Sequence, residues 1–514
     1  MTYLLGIDLG TSLIKVGIFT EEGRLVDAIG KEVIVESPKA GWAEQDPEIL
    51  WKITCNLIRK CLKRNNILSS EITGIGLSGQ MHGTFLIGHN GELARSKAII
   101  WLDSRSQDIL GEYYEKGFAD VIYEKTGWRL IPSMQIMHLS WLKRNEPETL
   151  KRSRYFVTCK DFIRYKLTGE IYTDITDASV TGLFDIFNKS WSKEIIQLLG
   201  LNIDNLLPEI RKPWEYAGEV TLQAAKQTGL RAGTPVAIGA GDICSTALGA
   251  GVIEPGQLCI IIGTAGIYEL VTNKPILDPE KAYSIVCHAI PDSWLLGCFQ
   301  MTAGVCLKLF KDEFCYEEII RAKRCKRRVY ELLDKKAEQS PVGSNGLIFH
   351  PFLQGERSPF VKPAMRGLLF GLNLKTRKED VIRAILEGVG YAAKDNIEVF
   401  RNRGLSIREA RITGGAANSP LWCQILADVL DTTILVPTVK DAGLLGSVIE
   451  AGVVAKLYNN PFEAAKRMVK IERIFEPNSH NVEKYLKLYP LYKKLYTLLW
   501  DFYEEFIKVY NELQ

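Results

Sequence analysis

Acid, glycine and hydroxyl fall together at Asp8-Leu9-Gly10-Thr11-Ser12. An unpaired carboxylate at the end of an apolar run is costly to bury. A hydrated cation held against phosphates would satisfy it, and the plainer reading is a turn in which Asp8 bonds its own backbone. Glycine lets the backbone approach a ligand closely, while Thr11 and Ser12 offer hydroxyls and N–H groups to an anion. The pattern returns without the acid at Gly263-Thr264-Ala265-Gly266. A second acid, Asp242, follows Gly239-Ala240-Gly241. It suits a helix N-cap or a carboxylate aimed into a cleft to accept a hydroxyl proton; the glycines favour the latter, because they clear room for a substrate. Gly79-Gln80-Met81-His82-Gly83 puts an apolar wall and a hydrogen-bonding tip on a loop, although His82 taken alone reads as a structural histidine. Trp101, Asp103 and Arg105 group an aromatic, a carboxylate and a guanidinium, whose simplest use is a salt bridge at a helix start. Small residues at Gly414-Gly415-Ala416-Ala417-Asn418 suit a flat base and ribose lying on the backbone, or an ordinary strand-to-helix turn.

The elements that must position these groups are legible around them. Leu4, Leu5 and Ile7 form a buried run, and Ile14, Val16 and Ile18 alternate with Lys15 and Gly17, which predicts a tight hairpin. Asp46 and Pro47 open a helix carrying Ile49, Leu50, Ile53, Leu57, Ile58 and Cys61, and Ile72 to Leu77 is a further strand. Such alternation is that of an α/β layer domain. Gly74-Ile75-Gly76-Leu77-Ser78-Gly79 spells G-x-G-x-x-G, but a loop and a hairpin follow where a dinucleotide fingerprint needs a helix. A dehydrogenase is therefore rejected. Val236 to Gly239 is a strand, and Asp242 starts a helix that runs to Leu248. Strand, Gly-Thr turn and strand recur from Leu258 to Val271, and Arg411 to Gly414 is a strand ending in a glycine turn. Two related α/β halves facing each other across a cleft are expected, each with a phosphate-gripping hairpin. The expected division is 1–250, 251–480 and an amphipathic tail, 481–514, that docks on the second half; a homodimer contact is the tail's alternative use.

Bulk properties exclude several classes. A net charge of +3 over 514 residues suggests neither a nucleic-acid nor a membrane partner. The basic run Arg321 to Arg328 reads as a solvated helix face. The 11 cysteines include no C-x-x-C pair and no zinc spacing. Their odd number, with no leader at the start, points to the cytoplasm. No run reaches the roughly 18 uncharged apolar residues of a membrane span.

No G-x-x-x-x-G-K-[ST] loop and no protein-kinase signature occurs, so any nucleotide is held another way. From Gly6-Ile7-Asp8-Leu9-Gly10-Thr11 through Thr413-Gly414-Gly415-Ala416 the chain resembles the FGGY carbohydrate kinases, and Gly79-Gln80-Met81-His82-Gly83 resembles the loop of their xylulokinase branch. The resemblance implies two actin-like, ribonuclease H-like ATPase domains and an ATP- and Mg2+-dependent transfer of phosphate to a sugar hydroxyl. It implies that Asp8 holds magnesium through water, that Thr11, Ser12 and Lys15 serve the first phosphate site, and that Gly263 and Thr264 serve the second. Gly414, Gly415, Ala416 and Asn418 would lie beside adenosine; Gln80, Met81, His82, Trp101 and Asp103 would meet the sugar; Asp242 would be the base. Leu102 and Ile243 stand where that branch usually has Asn, and Ala265 where Ser is common. The first two remove polar groups from the expected sugar site. D-xylulose is the favoured acceptor; gluconate, ribulose, glycerol or erythritol, or a chaperone-like ATPase with no acceptor, are the alternatives.

Overall fold

Leu4, Leu5, Ile7 and Leu9, and facing them Ile14, Val16 and Ile18, are all buried, so both faces of the opening hairpin are covered. Its strands are Tyr3–Leu9 and Leu13–Thr20. The computed structural model describes residues 2–201 and 203–513 and divides into two compact units, each a mixed sheet with helices. The first comprises Met1–Ile253, Val271–Leu296 and Asp441–Lys470; the second comprises Glu254–Leu270, Gly297–Lys440 and Ile471–Gln514. The division is therefore discontinuous in sequence, with Val271–Leu296 and Asp441–Lys470 joining the first unit although both fall within 251–480.

In the first unit the strands run Tyr216–Glu219, Pro235–Ala237, Ile72–Gly79, Tyr3–Leu9, Leu13–Thr20, Leu25–Glu32, and the short strand Ala240–Gly241 also pairs with Ile72–Gly79. Helix Pro47–Arg64 buries Leu50, Trp51, Leu57, Ile58 and Cys61 against this sheet, and Asp46 caps it by accepting the N–H groups of Glu48 and Ile49 at 2.9 and 3.1 Å.

A second helix on this sheet, Ala442–Val454, explains the glycines of the G-x-G-x-x-G stretch. A Cβ on Gly76 would lie 1.8 Å from the Ser447 carbonyl oxygen, and one on Gly74 would lie 2.5 Å from that of Ala451. These glycines are bare so that a helix can lie directly on the strand. A pyrophosphate has no part in it.

In the second unit the sheet runs Trp294–Gln300, Gly266–Thr272, Gln257–Ile262, Glu409–Gly414, Ile434–Pro437, Ile471–Phe475. Helix Lys378–Asn402 packs beneath the C-terminal segment, which forms two helices, Ser479–Leu498 and Trp500–Glu512. The Tyr485 hydroxyl donates to Glu387 at 2.9 Å and accepts from Arg383 at 3.2 Å, while the buried Tyr492 meets the His350 ring edge-on at 4.6 Å. Among the described residues, no helix is long and apolar enough to cross a membrane.

Candidate active site

Three parallel strands of the first unit end in step. Asp8 pairs in register with Ser78, and Ser78 with Ala240; one residue on, Leu9 and Gly241 both pair with Gly79. Gly10, Gln80 and Asp242 therefore leave the sheet together, at the strand ends where α/β folds bind ligands. Asp8 Oδ1 accepts the Ser78 hydroxyl proton at 3.0 Å. Its other oxygen lies near the start of helix Ala442–Val454: a methyl on Gly443 would sit 3.4 Å from both Asp8 Oδ2 and Thr246 Oγ1. Burial raises the Asp8 carboxyl, with Lys15 opposing. Lys15, level with Asp8 on the neighbouring strand, is bonded to Asp441.

Asp242 is half-buried and stands at the first position of helix Asp242–Gly249, whose N-cap is Gly241. It is therefore not the cap; its Oδ1 accepts the N–H of Ile243 at 2.9 Å. Burial, reinforced by the negative charge of Asp8, pushes its carboxyl up to about 7. Gly241 is small because Met81 lies there, with Sδ and Cε 2.6 Å from where a Cβ would stand.

Of the expected sugar residues, His82 adopts φ +62° and meets the Trp128 ring edge-on at 5.2 Å. Trp101 is 39% exposed and donates from Nε1 to the Thr11 hydroxyl at 2.6 Å. Gln80 is buried and engaged: its Oε1 accepts from Thr11 at 3.2 Å and its Nε2 donates to Gln45 at 2.7 Å. Asp103 is also buried. Its oxygens accept from the Ala43 N–H at 2.6 Å and from the Arg105 side chain at 2.8–2.9 Å. A sugar hydroxyl reaches Asp103 only by displacing one of these donors, so the salt-bridge use is what the structure displays.

The second unit gathers the other group. Ile262 is level with Gly266 on one side and Gly414 on the other, which sets the Gly263-Thr264-Ala265 tip beside the Gly414-Gly415 turn. Gly414 has φ +84°, and a Cβ there would lie 2.5 Å from the Ile262 carbonyl oxygen. Gly263, Thr264, Gly415, Ala416 and Asn418 line one cavity of about 320 Å³. Asn418 Oδ1 accepts from Lys440 at 2.9 Å, which fixes the side chain at the rim.

Sequence reasoning did not single out Tyr330, Asp334 and Trp422, which line the same cavity. Burial pushes Asp334 up to about 6, against a hydrogen bond to Ser419. Helix Val329–Ala337 reads in sequence as an ordinary amphipathic surface helix, and nothing in its spacing marks Asp334. Thr246 and Gly443, beside Asp8, were missed likewise; Thr246 lies only four residues after Asp242, whereas Gly443 lies far along the chain from both Asp8 and Asp242.

This is the architecture of the actin-like ATPase fold as sugar kinases carry it. Residues 3–249 match the N-terminal domain and residues 258–455 the C-terminal domain of the FGGY family of carbohydrate kinases. The chain is 30% identical over 497 residues to a xylulose kinase of Bacillus subtilis (strain 168), spanning 97% of each protein. It is also 30% identical over 509 residues to the gluconokinase of that strain, spanning 98% of this chain and 97% of the relative. The structure of a ligand-bound xylulose kinase from Lactobacillus acidophilus is similar at a TM-score of 0.89 and 26% identity, covering 98% of this chain and 100% of that one. The chain belongs to the FGGY family of carbohydrate kinases.

Proposed function

We propose that this kinase moves the γ-phosphoryl group of ATP to a terminal hydroxyl of a ketopentose, with D-xylulose as acceptor. The observation that carries the reading is Asp242: a carboxylate at the end of a strand, not used as a helix cap, and pushed up to about 7 by burial and by Asp8. A base with that affinity for protons is matched to work near neutral pH.

In the mechanism, Asp242 accepts the proton of the acceptor hydroxyl as its oxygen attacks the γ-phosphorus in line. The bond from that phosphorus to the bridging oxygen breaks, and ADP departs. Positioning and fixed dipoles supply most of the acceleration. In the first unit Thr11, Ser12 and Lys15 offer donors to phosphate; in the second, Gly263 and Thr264 do, with Gly414, Gly415, Ala416 and Asn418 beside adenosine. Met81, His82 and Trp101 form the acceptor wall, and Gln80 and Asp103 hold that wall in place. The Asp8 carboxylate, with one oxygen turned toward Thr246 and Gly443 and its charge raising Asp242, fits a hydrated magnesium ion. Bound there through water, magnesium would neutralise phosphate charge.

A gluconate acceptor is the second reading. It is supported by the equal identity to the gluconokinase. ADP release measured across D-xylulose, D-ribulose, gluconate, glycerol and erythritol separates the two through kcat/KM. D-xylulose should rank first. Gluconate in first place would replace the acceptor named here, and ATP turnover indifferent to every sugar would sink the kinase mechanism.

A further inference from the structure

Behind the turn that carries Asp242 lies a group of five charged side chains, Lys160, Asp161, Arg164, Asp174 and Asp177, each with no exposed side-chain surface. Lys160 Nζ stands 2.7 Å from Asp161, 2.5 Å from Asp174 and 2.9 Å from Asp177. The three carboxylates lie within 4.8 Å of one another, close enough to hold a metal. The ammonium group already fills that place, offering three protons to three acceptors.

Buried ion pairs rarely contribute more stability than apolar residues of the same volume. What this group does provide is a set of fixed contacts to the Ile238–Asp242 turn. Arg164 donates to the Ile238 carbonyl at 2.8 Å. Asp174 Oδ1 accepts the Thr176 hydroxyl proton, and the same hydroxyl oxygen accepts the Gly241 N–H at 2.8 Å. The neighbouring strand end lies directly against Lys160, since a Cβ on Gly79 would stand 2.9 Å from Lys160 Cβ. Thr176 is thus a single buried link between a carboxylate locked by Lys160 and the peptide that leads into Asp242.

We propose that Thr176, held by the Lys160–Asp174 pair, is a positioning residue for Asp242: its hydroxyl fixes the Gly241 peptide and so the direction in which the Asp242 carboxylate points. The proposal rests on Asp242 being the base. Plain core packing would also bury these groups, but it predicts no selective effect on turnover.

The test is ADP release with ATP and D-xylulose, with kcat and KM read separately on cooperatively melting protein, for Thr176→Val, Thr176→Ala and Thr176→Ser. Val and Ala remove the hydroxyl; Ala also avoids any clash. Both should lower kcat between about 10- and 100-fold, the size of a sub-ångström to ångström misplacement, with the sugar KM within about twofold. Ser, which keeps the link, should return kcat to within about threefold of wild type. Added to Asp242→Asn, the Val change should cost less than about twofold more, because the group it aims is gone. Val and Ala variants with wild-type kcat, a Ser variant as slow as Val, or a Val effect carried in full onto Asp242→Asn would each overturn the positioning role and leave Asp242's own assignment standing. Normal turnover in Asp242→Asn alone would remove that assignment, and this one with it.

Discussion

At Tyr3–Thr20 and again at Gln257–Thr272 the chain builds one piece of backbone twice. In each, two antiparallel strands meet at a Gly-Thr tip, and a parallel strand lies alongside. The side chains part company. Two residues before the tip glycine, the first hairpin has Asp8, level with Lys15 across the hairpin and with Ser78 on the parallel strand. The second has Ile261, level with Ile267 and Thr413. An acid and a base in one copy are two isoleucines in the other. Phosphate can be gripped by backbone N–H groups without any charge, so the second copy needs none. An acid at the hairpin is wanted only where a cation or a proton is handled, and the two acids given that work, Asp8 and Asp242, belong to the first unit, whereas Asp334 lines the second-unit cavity from a helix rather than from the hairpin.

The contrast can be broken most severely at Asp242. Asp242→Asn should lower kcat roughly 100-fold or more in the ADP-release assay, while sugar binding by calorimetry persists. Turnover near wild type would return Asp242 to a purely structural place. The pH profile should agree: kcat/KM falls about tenfold per unit below pH 7 and levels above it, since the carboxylate form is the base. For stability the sign runs the other way. A carboxyl raised from its ordinary value to about 7 takes up a proton on folding, so its contribution is full below about pH 4 and lost as pH rises through 7. Asp242→Asn should therefore melt above wild type at pH 8, by about 2 °C, with the gap closing at acid pH.

Next in size is Asp8→Asn, expected to cost about 10- to 30-fold in kcat and to raise the magnesium concentration needed for half-maximal rate. In the second unit the effects should fall on ATP rather than on turnover. Gly414→Ala forces a side chain onto φ +84° and against the Ile262 carbonyl, a strain of about 1–3 kcal/mol. The KM for ATP should rise by about 5- to 10-fold. Smallest is Gly415→Ala, whose nearest neighbour would be 3.7 Å away; less than a twofold change is expected (about 0.4 kcal/mol). Equal losses at the two glycines would mean that the turn does not shape the nucleotide site.

Both hairpins and Asp242 were legible in sequence because each is local: an apolar run, a glycine turn and a polar residue within a dozen positions. The G-x-G-x-x-G stretch was legible only as a negative, since the helix that accounts for Gly74 and Gly76 lies near Ser447 and Ala451, far along the chain. Asp103 shows the limit from the other side. Its pairing with Arg105 could be read from spacing, but its closure by the Ala43 N–H could not. The stretch Thr173 to Phe184, with Asp174 and Asp177, reads in sequence as a loop and short helix near a pocket, but nothing there links it to Lys160, and only the folded chain reveals that the three face one another at no exposure.

The helix Ala442–Val454, seated on the glycines of strands that begin at Tyr3 and Ile72, bears on how the molecule comes off the ribosome. The N-terminal unit cannot be finished when its first 253 residues emerge, because its last structural piece is still untranslated. Until Asp441–Lys470 arrives, Gly6, Gly74 and Gly76 form a bare seam on a nascent sheet, open to mispairing or to a chaperone. A nascent chain stalled at Lys440 should be readily cleaved by protease within residues 1–253, and one released after Lys470 should resist.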